Sequence, residues 1–204
     1  MLSGTLTDTY TDLPALPAAR GGGALVALGR ELHFFGGSDS ARADAGSHWA
    51  LDLDNLAAGW VARASLPVAT NHVAGVVFNG LIYAIGGQQN QDDAAIQRAE
   101  VQAYDPATDR WTARAPLPLA RSHITSATLV RDGRIIVVGG LGPGNTVLNK
   151  VSSYDPVANV WKDLTALPSG RLSGVSDVLP DGRIIFTTGA GGGFRDTTWV
   201  GEFA

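Results

Sequence analysis

The chain has 204 residues, a formal net charge of −4 and a pI near 5.4, with Lys150 and Lys162 as its only lysines. It therefore lacks the basic field that non-specific nucleic-acid binding requires. Cysteine is absent, which excludes disulfides, thiolate metal sites and cysteine nucleophiles, and the sequence is expected to carry no leader or membrane-spanning apolar run.

With 45% hydrophobic content and five tryptophans, the 26 glycines and 10 prolines are turn chemistry in a folded chain and not a sign of disorder. The length suits one domain over residues 1–204. Leu-Pro recurs at Leu16-Pro17, Leu66-Pro67, Leu117-Pro118 and Leu167-Pro168, a step of 50 or 51 residues. Paired glycines keep nearly the same step at Gly36-Gly37, Gly86-Gly87 and Gly139-Gly140, with Gly189-Ala190-Gly191 as a degenerate fourth copy. Trp60, Trp111 and Trp161 mark it again. A fixed period of this length means a repeat architecture, here with units of about 18–67, 68–118, 119–168 and 169–204.

Each unit opens with a hairpin, whose turn is Gly29-Arg30, Asn79-Gly80, Asp132-Gly133 or Asp181-Gly182. Asn-Gly and Asp-Gly favour the two-residue turn that needs positive φ at both central positions. In the second unit the hairpin joins residues 72–78 to 81–85, and in the third 124–130 to 134–138. After the glycine pair comes a variable polar loop such as 88–97. A third strand then ends at Tyr104-Asp105-Pro106 or Tyr154-Asp155-Pro156, with Leu53-Asp54-Asn55 as the aligned positions of the first unit. A fourth strand carries the tryptophan, as in 110–113, and Leu-Pro closes the unit. Four antiparallel strands per unit make a propeller blade.

The paired glycines, with Tyr104 and Trp111 and again Tyr154 and Trp161 at a separation of seven, resemble the kelch repeat. That resemblance covers nearly the whole chain and implies an all-β propeller of four-stranded antiparallel kelch blades, four of them in this chain. The last unit lacks a fourth strand, since Val200-Gly201-Glu202-Phe203 aligns with Val151-Ser152-Ser153-Tyr154. Residues 8–17 are expected to supply it, with Tyr10 at the tryptophan position, so that the termini meet in blade 4. Three arrangements stay open: closure by four blades alone, a homodimer pairing two half-rings, or part of a larger propeller.

One residue per unit stands just before the innermost strand: Arg20, Thr70, Arg121 and Arg171. In ligand-binding kelch proteins this position lies near the channel mouth. The resemblance therefore implies three guanidiniums converging there beside Thr70, Asn71, His72, Ser122, His123 and Ser173, an arrangement suited to a small anion or an acidic peptide. The competing reading has the arginines pairing with blade carboxylates or capping loops. His72 and His123 are equivalent residues of adjacent units, with Gly22 and Ser173 in the others, and two imidazoles without a third ligand point to a hydrogen-bonding role and not to a metal. The same applies to His33 and His48. Asp39, Asp44 and Asp92-Asp93 read as solvated loop residues rather than a calcium site. The glycine-rich stretches at 140–144 and 191–193 are blade loops, because the strand-loop-helix context of a phosphate cradle is missing. Trp60, Trp111 and Trp161 read as packing between blades, while Trp49 and Trp199 fall outside that pattern and read as core.

The reading that follows is a non-catalytic binding scaffold with no cofactor and no metal, whose partner is a protein, a peptide or a small anion. Its alternatives are a sugar mutarotase-like enzyme working at the same mouth and a self-associating part of a larger propeller. The copper radical chemistry of some kelch relatives is excluded, because it needs a cysteine-linked tyrosine.

Overall fold

The turn pairs do what their chemistry requires. Asn79 and Gly80, and again Asp132 and Gly133, all sit at positive φ and close two-residue hairpins. The structure is a computed structural model that describes residues 10–91 and 94–202. Blade 1 is an antiparallel sheet of β1 (Gly21–Leu28), β2 (Glu31–Ser38), β3 (His48–Asp52) and β4 (Trp60–Arg63), in that order. Blade 2 contains β5 (Ala74–Phe78) and β6 (Leu81–Ile85), a small ribbon of β7 (Gln88–Gln89) and β8 (Ile96–Gln97), then β9 (Val101–Asp105) and β10 (Arg110–Arg114). Blade 3 repeats this with β11 (Thr128–Arg131), β12 (Arg134–Val138), the ribbon β13 (Leu141–Gly142) and β14 (Thr146–Val147), β15 (Val151–Asp155) and β16 (Val160–Leu164). Blade 4 has β17 (Val175–Val178), β18 (Ile184–Thr187) and β19 (Thr198–Gly201). Among the described residues no helix is long and apolar enough to cross a membrane.

The inner strands β1, β5, β11 and β17 are neighbours in that order. Three apolar cores lie between consecutive blades: Phe35, Ile82 and Tyr104 between blades 1 and 2, Ile85, Ile135 and Tyr154 between 2 and 3, and Val138, Ile184 and Phe186 between 3 and 4. Among the described residues no comparable core joins blade 4 back to blade 1. The blades thus follow a propeller arc with two end faces.

The glycine pair is what joins one blade to the next. Gly86 and Gly87 have φ values of 58° and 95°. A Cβ on Gly86 would lie 2.5 Å from the Arg121 carbonyl oxygen, and the Gly87 N–H donates to that same oxygen at 3.0 Å. Only glycine tolerates both the backbone geometry and the approach. Gly36-Gly37 meets the Thr70 carbonyl, and Gly139-Gly140 the Arg171 carbonyl, in the same way.

In blade 4 the fourth copy is shifted by one residue from the expected Gly189-Ala190-Gly191. A Cβ on Gly189 would lie 2.7 Å from the Leu172 oxygen, as one on Gly140 would lie 2.9 Å from the Ser122 oxygen, so Gly189 is the second member of the pair. The first is Thr188, at φ 63°. No described blade follows it, so no carbonyl excludes its side chain.

Cross-strand pairing also corrects two alignments. Leu51 lies opposite Leu32 as Tyr104 lies opposite Ile82 and Tyr154 opposite Ile135, so Leu51-Asp52, and not Leu53-Asp54, corresponds to Tyr104-Asp105. Asp52, Asp105 and Asp155 share one local turn, each accepting the N–H two residues on. In blade 4 Gly201, and not Phe203, takes the tyrosine place opposite Ile184. Phe203 is outside the described residues. Connections of unequal length, between the third and fourth strands in blade 1 and between the second and third in blade 4, defeat counting along the chain, whereas the ladder fixes the register.

The expected closing strand at residues 8–17 is not seen in the part of that span the structure describes. Residues 8 and 9 are outside the described region, and 10–17 are not strand. The Trp60 indole N–H donates to the Pro14 carbonyl at 2.8 Å, just as Trp111 donates to Ala64 and Trp161 to Ala115 at the same distance. Each tryptophan thus holds the segment leaving the preceding blade, and Pro14 occupies the place before blade 1. Among the described residues blade 4 has the three strands β17, β18 and β19, with no ladder partner from residues 10–17.

Candidate functional site

Of the arginines before the innermost strands, Arg121 and Arg171 are buried and Arg20 is half-buried. Arg121 is completely buried: Nη2 donates to Ser152 Oγ at 2.7 Å, and Nη1 reaches the Gly139 and Lys150 carbonyls, each at 3.3 Å. Burial lowers its pKa to about 10, opposed by Asp163, which accepts from Ser152. Arg171 is also buried, and it donates to Ser169 Oγ, the Gly170 carbonyl and Thr197 Oγ1 while its guanidinium lies 4.5 Å from the Trp199 ring centre. Arg20 bonds to Ser47 Oγ and the Ala19 carbonyl and lies 5.2 Å from Trp49. The equivalent Thr70 is buried, with its hydroxyl on the Val68 carbonyl. Strand register makes Trp49, Ser152 and Trp199 equivalent positions, so the two unexplained tryptophans are the partners of these arginines.

The next two residues of each blade do converge. Asn71 and Ser122 are buried and pair through the main chain with Gln88 and Leu141. Gly22, His72, His123 and Ser173 follow them, and all four lie in the left-handed region at φ 66°, 49°, 57° and 51°. They step around the inner rim, with the His72 N–H donating to the Gly22 carbonyl and the Ser173 N–H to the His123 carbonyl. The His72 and His123 rings are stacked with centres 4.3 Å apart. They line a cavity of about 510 Å³ with Gln88, Gln91, Leu141 and Asn145. Burial lowers the pKa of both: His72 is partly restored by Asp44, and His123 is brought to about 4 with His72 adding to the effect. Both rings are therefore neutral near pH 7.

Asp44, Gln88, Gln91 and Asn145 entered this site unannounced by any motif. The one usable signal was the place of Gln88 directly after a glycine pair. Asp44 accepts from Asn71 Nδ2 and from the Asn90 N–H, which ties the blade 1 loop to blade 2. Asp39 instead caps its own loop through the Ala41 and Ala43 N–H groups. No group of three or more His, Asp or Glu side chains placed to hold a metal occurs among the described residues. Asp92 and Asp93 are outside them.

His33 and His48 are buried between blades 1 and 2, against Tyr104 and Trp111. His48 Nδ1 lies 3.1 Å from the Ala64 carbonyl, which can only accept, so this nitrogen carries the proton. His48 Nε2 then accepts from His33 Nδ1 at 3.0 Å. Burial holds His48 down to about 4. This pair belongs to the core.

A model of the KLHDC2/KLHL20/DRC7 Kelch-repeats domain matches residues 5–190. Kelch-like protein 35 of Mus musculus is 31% identical over 162 residues, 79% of this chain and 26% of that protein. Kelch-like protein terF of Aspergillus terreus is 34% identical over 119 residues, 55% of this chain and 26% of that protein. Beta-scruin of Limulus polyphemus is 36% identical over 137 residues, 64% of this chain and 14% of that protein. The chain thus spans about a quarter or less of the length of these relatives. The solved structure of YjhT shares the fold, with a TM-score of 0.70 and 17% identity over 87% of this chain and 60% of that one. By the extent of the family match and the repeat geometry it agrees with, the chain belongs to the kelch-repeat family.

Proposed function

We propose that the chain is a non-catalytic protein-interaction scaffold whose recognition surface is the inner rim at Gly22, His72, His123 and Ser173, with the adjoining loops. Kelch-repeat proteins serve generally as protein-interaction modules, which supports the class. The observation that carries the rim assignment is its backbone. Four equivalent positions are left-handed, yet only one is glycine. Left-handed non-glycine residues cost about 1–2 kcal/mol each, so the side chains at 72, 123 and 173 are poor choices for the fold alone. Strain retained where the fold does not need it is the mark of a position kept for what it presents.

An anion-selective mouth draws little support from this geometry, because Arg121 and Arg171 are buried and their terminal guanidinium nitrogens bond inside their own blades. A mutarotase-like activity rests on likeness of fold alone, and fold carries no activity. The test compares proteins captured from a cell extract by the natural chain and by the triple variant His72→Ala/His123→Ala/Ser173→Ala, at matched thermal stability. Partners lost by the variant support the rim. Identical captures would move the recognition surface elsewhere, and accelerated anomer interconversion in an NMR assay would replace the scaffold with an enzyme.

A further inference from the structure

The hydrogen bonds around the two rim histidines fix where their protons are. Gln88 Nε2 donates to the Asn90 carbonyl, so its Oε1 is the acceptor that faces Ser122 Oγ at 2.9 Å. Ser122 gives its single proton there and must accept from His123 Nδ1, also at 2.9 Å. His123 therefore carries its proton on Nδ1 and leaves a lone pair on Nε2. The same logic holds one blade earlier. Asn71 Nδ2 donates to Asp44 and to the Asn90 carbonyl, so Asn71 Oδ1 accepts from His72 Nδ1. Its Nε2, too, is a lone pair. Among the described residues nothing donates to either Nε2.

Two stacked rings, each with an Nε2 acceptor, thus line a cavity of about 510 Å³ whose lining contains no cationic side chain among the described residues. The Asp44 carboxylate lies directly behind Asn71, and the chain carries a formal net charge of −4. Arg121 and Arg171 are buried within their own blades. We propose that this inter-blade pocket binds a cationic hydrogen-bond donor, the ammonium or guanidinium of a lysine or arginine side chain on a protein partner, through the paired Nε2 acceptors of His72 and His123. The inference rests on the rim being the recognition surface and adds the sign and chemistry of what it recognises, which is the reverse of an acidic ligand.

The test is a titration of the full chain at pH 7.5, with the imidazole nitrogen resonances of His72 and His123 followed by NMR. The probes are Nα-acetyl-lysine amide, Nα-acetyl-arginine amide and Nα-acetyl-glutamate amide. The expected result is a saturable shift of both Nε2 signals with the basic probes and none with the acidic one, abolished in His72→Phe/His123→Phe. Asp44→Asn, which keeps both rings and the oxygen facing Asn71 but gives up the bond from the Asn90 N–H, should weaken binding about two- to fivefold by removing the charge behind the pocket. No response to either basic probe overturns the proposal, as does an acidic probe that binds as well or better. Should captured partners depend on the rim yet bind through acidic segments, the scaffold reading stands and this inference alone fails.

Discussion

Arg121 Nη2 and Ser152 Oγ lie 2.7 Å apart inside blade 3, in a position where no side-chain atom of the arginine reaches solvent. The guanidinium also bridges the Gly139 and Lys150 carbonyls, so it ties the junction between second and third strands on which the glycine pair depends. Arg121→Ala would leave several buried acceptors without donors and a void, and is expected to destabilise the chain by about 3 kcal/mol or more. Urea unfolding reads this directly. The same variant at a temperature where it remains folded should bind acidic peptides no worse than the natural chain, and a loss confined to binding would restore an arginine mouth.

His48 makes stability depend on pH through the core. Its folded pKa is about 4, with burial as the largest cause, against about 6.5 when unfolded. The unfolded chain therefore binds this proton first as pH falls, and stability that is full above pH 6.5 is lost between 6.5 and 4, by on the order of 3 kcal/mol. His48→Gln can still donate to the Ala64 carbonyl and accept from His33. The difference in unfolding free energy between pH 7.5 and 5 should shrink in that variant, and an unchanged pH dependence would show that another group controls it.

Most of the fold was legible because its markers are backbone requirements. Gly86-Gly87 has to be glycine against the Arg121 carbonyl, Asn79-Gly80 has to turn, and Trp111 has to reach Ala64, so all recur at one period whatever the loops do. Register in the irregular units was not legible, because Leu51 and Gly201 are set by ladder pairing across loops of different length. At the site, position was visible but direction was not. Nothing in the residue types says that Arg121 turns into its own blade while His72 and His123 face the cavity. That choice depends on Ser152, Trp49 and Trp199, some thirty residues along the chain and opposite only after folding.

Thr188 sets a limit on how blade 4 can be continued. At the equivalent positions Gly36, Gly86 and Gly139, a Cβ would lie 2.4 to 2.8 Å from a carbonyl of the following blade. A second copy docking its blade 1 against blade 4 in that manner would bring the Arg20 carbonyl onto the Thr188 side chain. Light scattering is therefore expected to give the mass of one chain, 21.2 kDa, with Thr188→Gly shifting the population toward twice that value. A natural chain that is already dimeric would mean that the blades associate in some other geometry. The converse substitution, Gly139→Thr, should separate blades 3 and 4 and change the environment of Trp199.

His123 offers a separation of fold from function. It sits at φ 57°, where a side chain costs about 1–2 kcal/mol, while glycine adds about 0.5–1 kcal/mol of chain entropy to the unfolded state. His123→Gly should therefore leave the unfolding free energy unchanged or raise it by up to about 1 kcal/mol, even though the ring loses its bond to Ser122. The same change removes one of the two Nε2 acceptors and should abolish binding at the rim. A residue that serves the fold gives the opposite pattern. If the variant unfolds at clearly lower urea, His123 is a packing residue and the rim loses its strongest support; if stability holds while binding disappears, the strain at this position is retained for recognition.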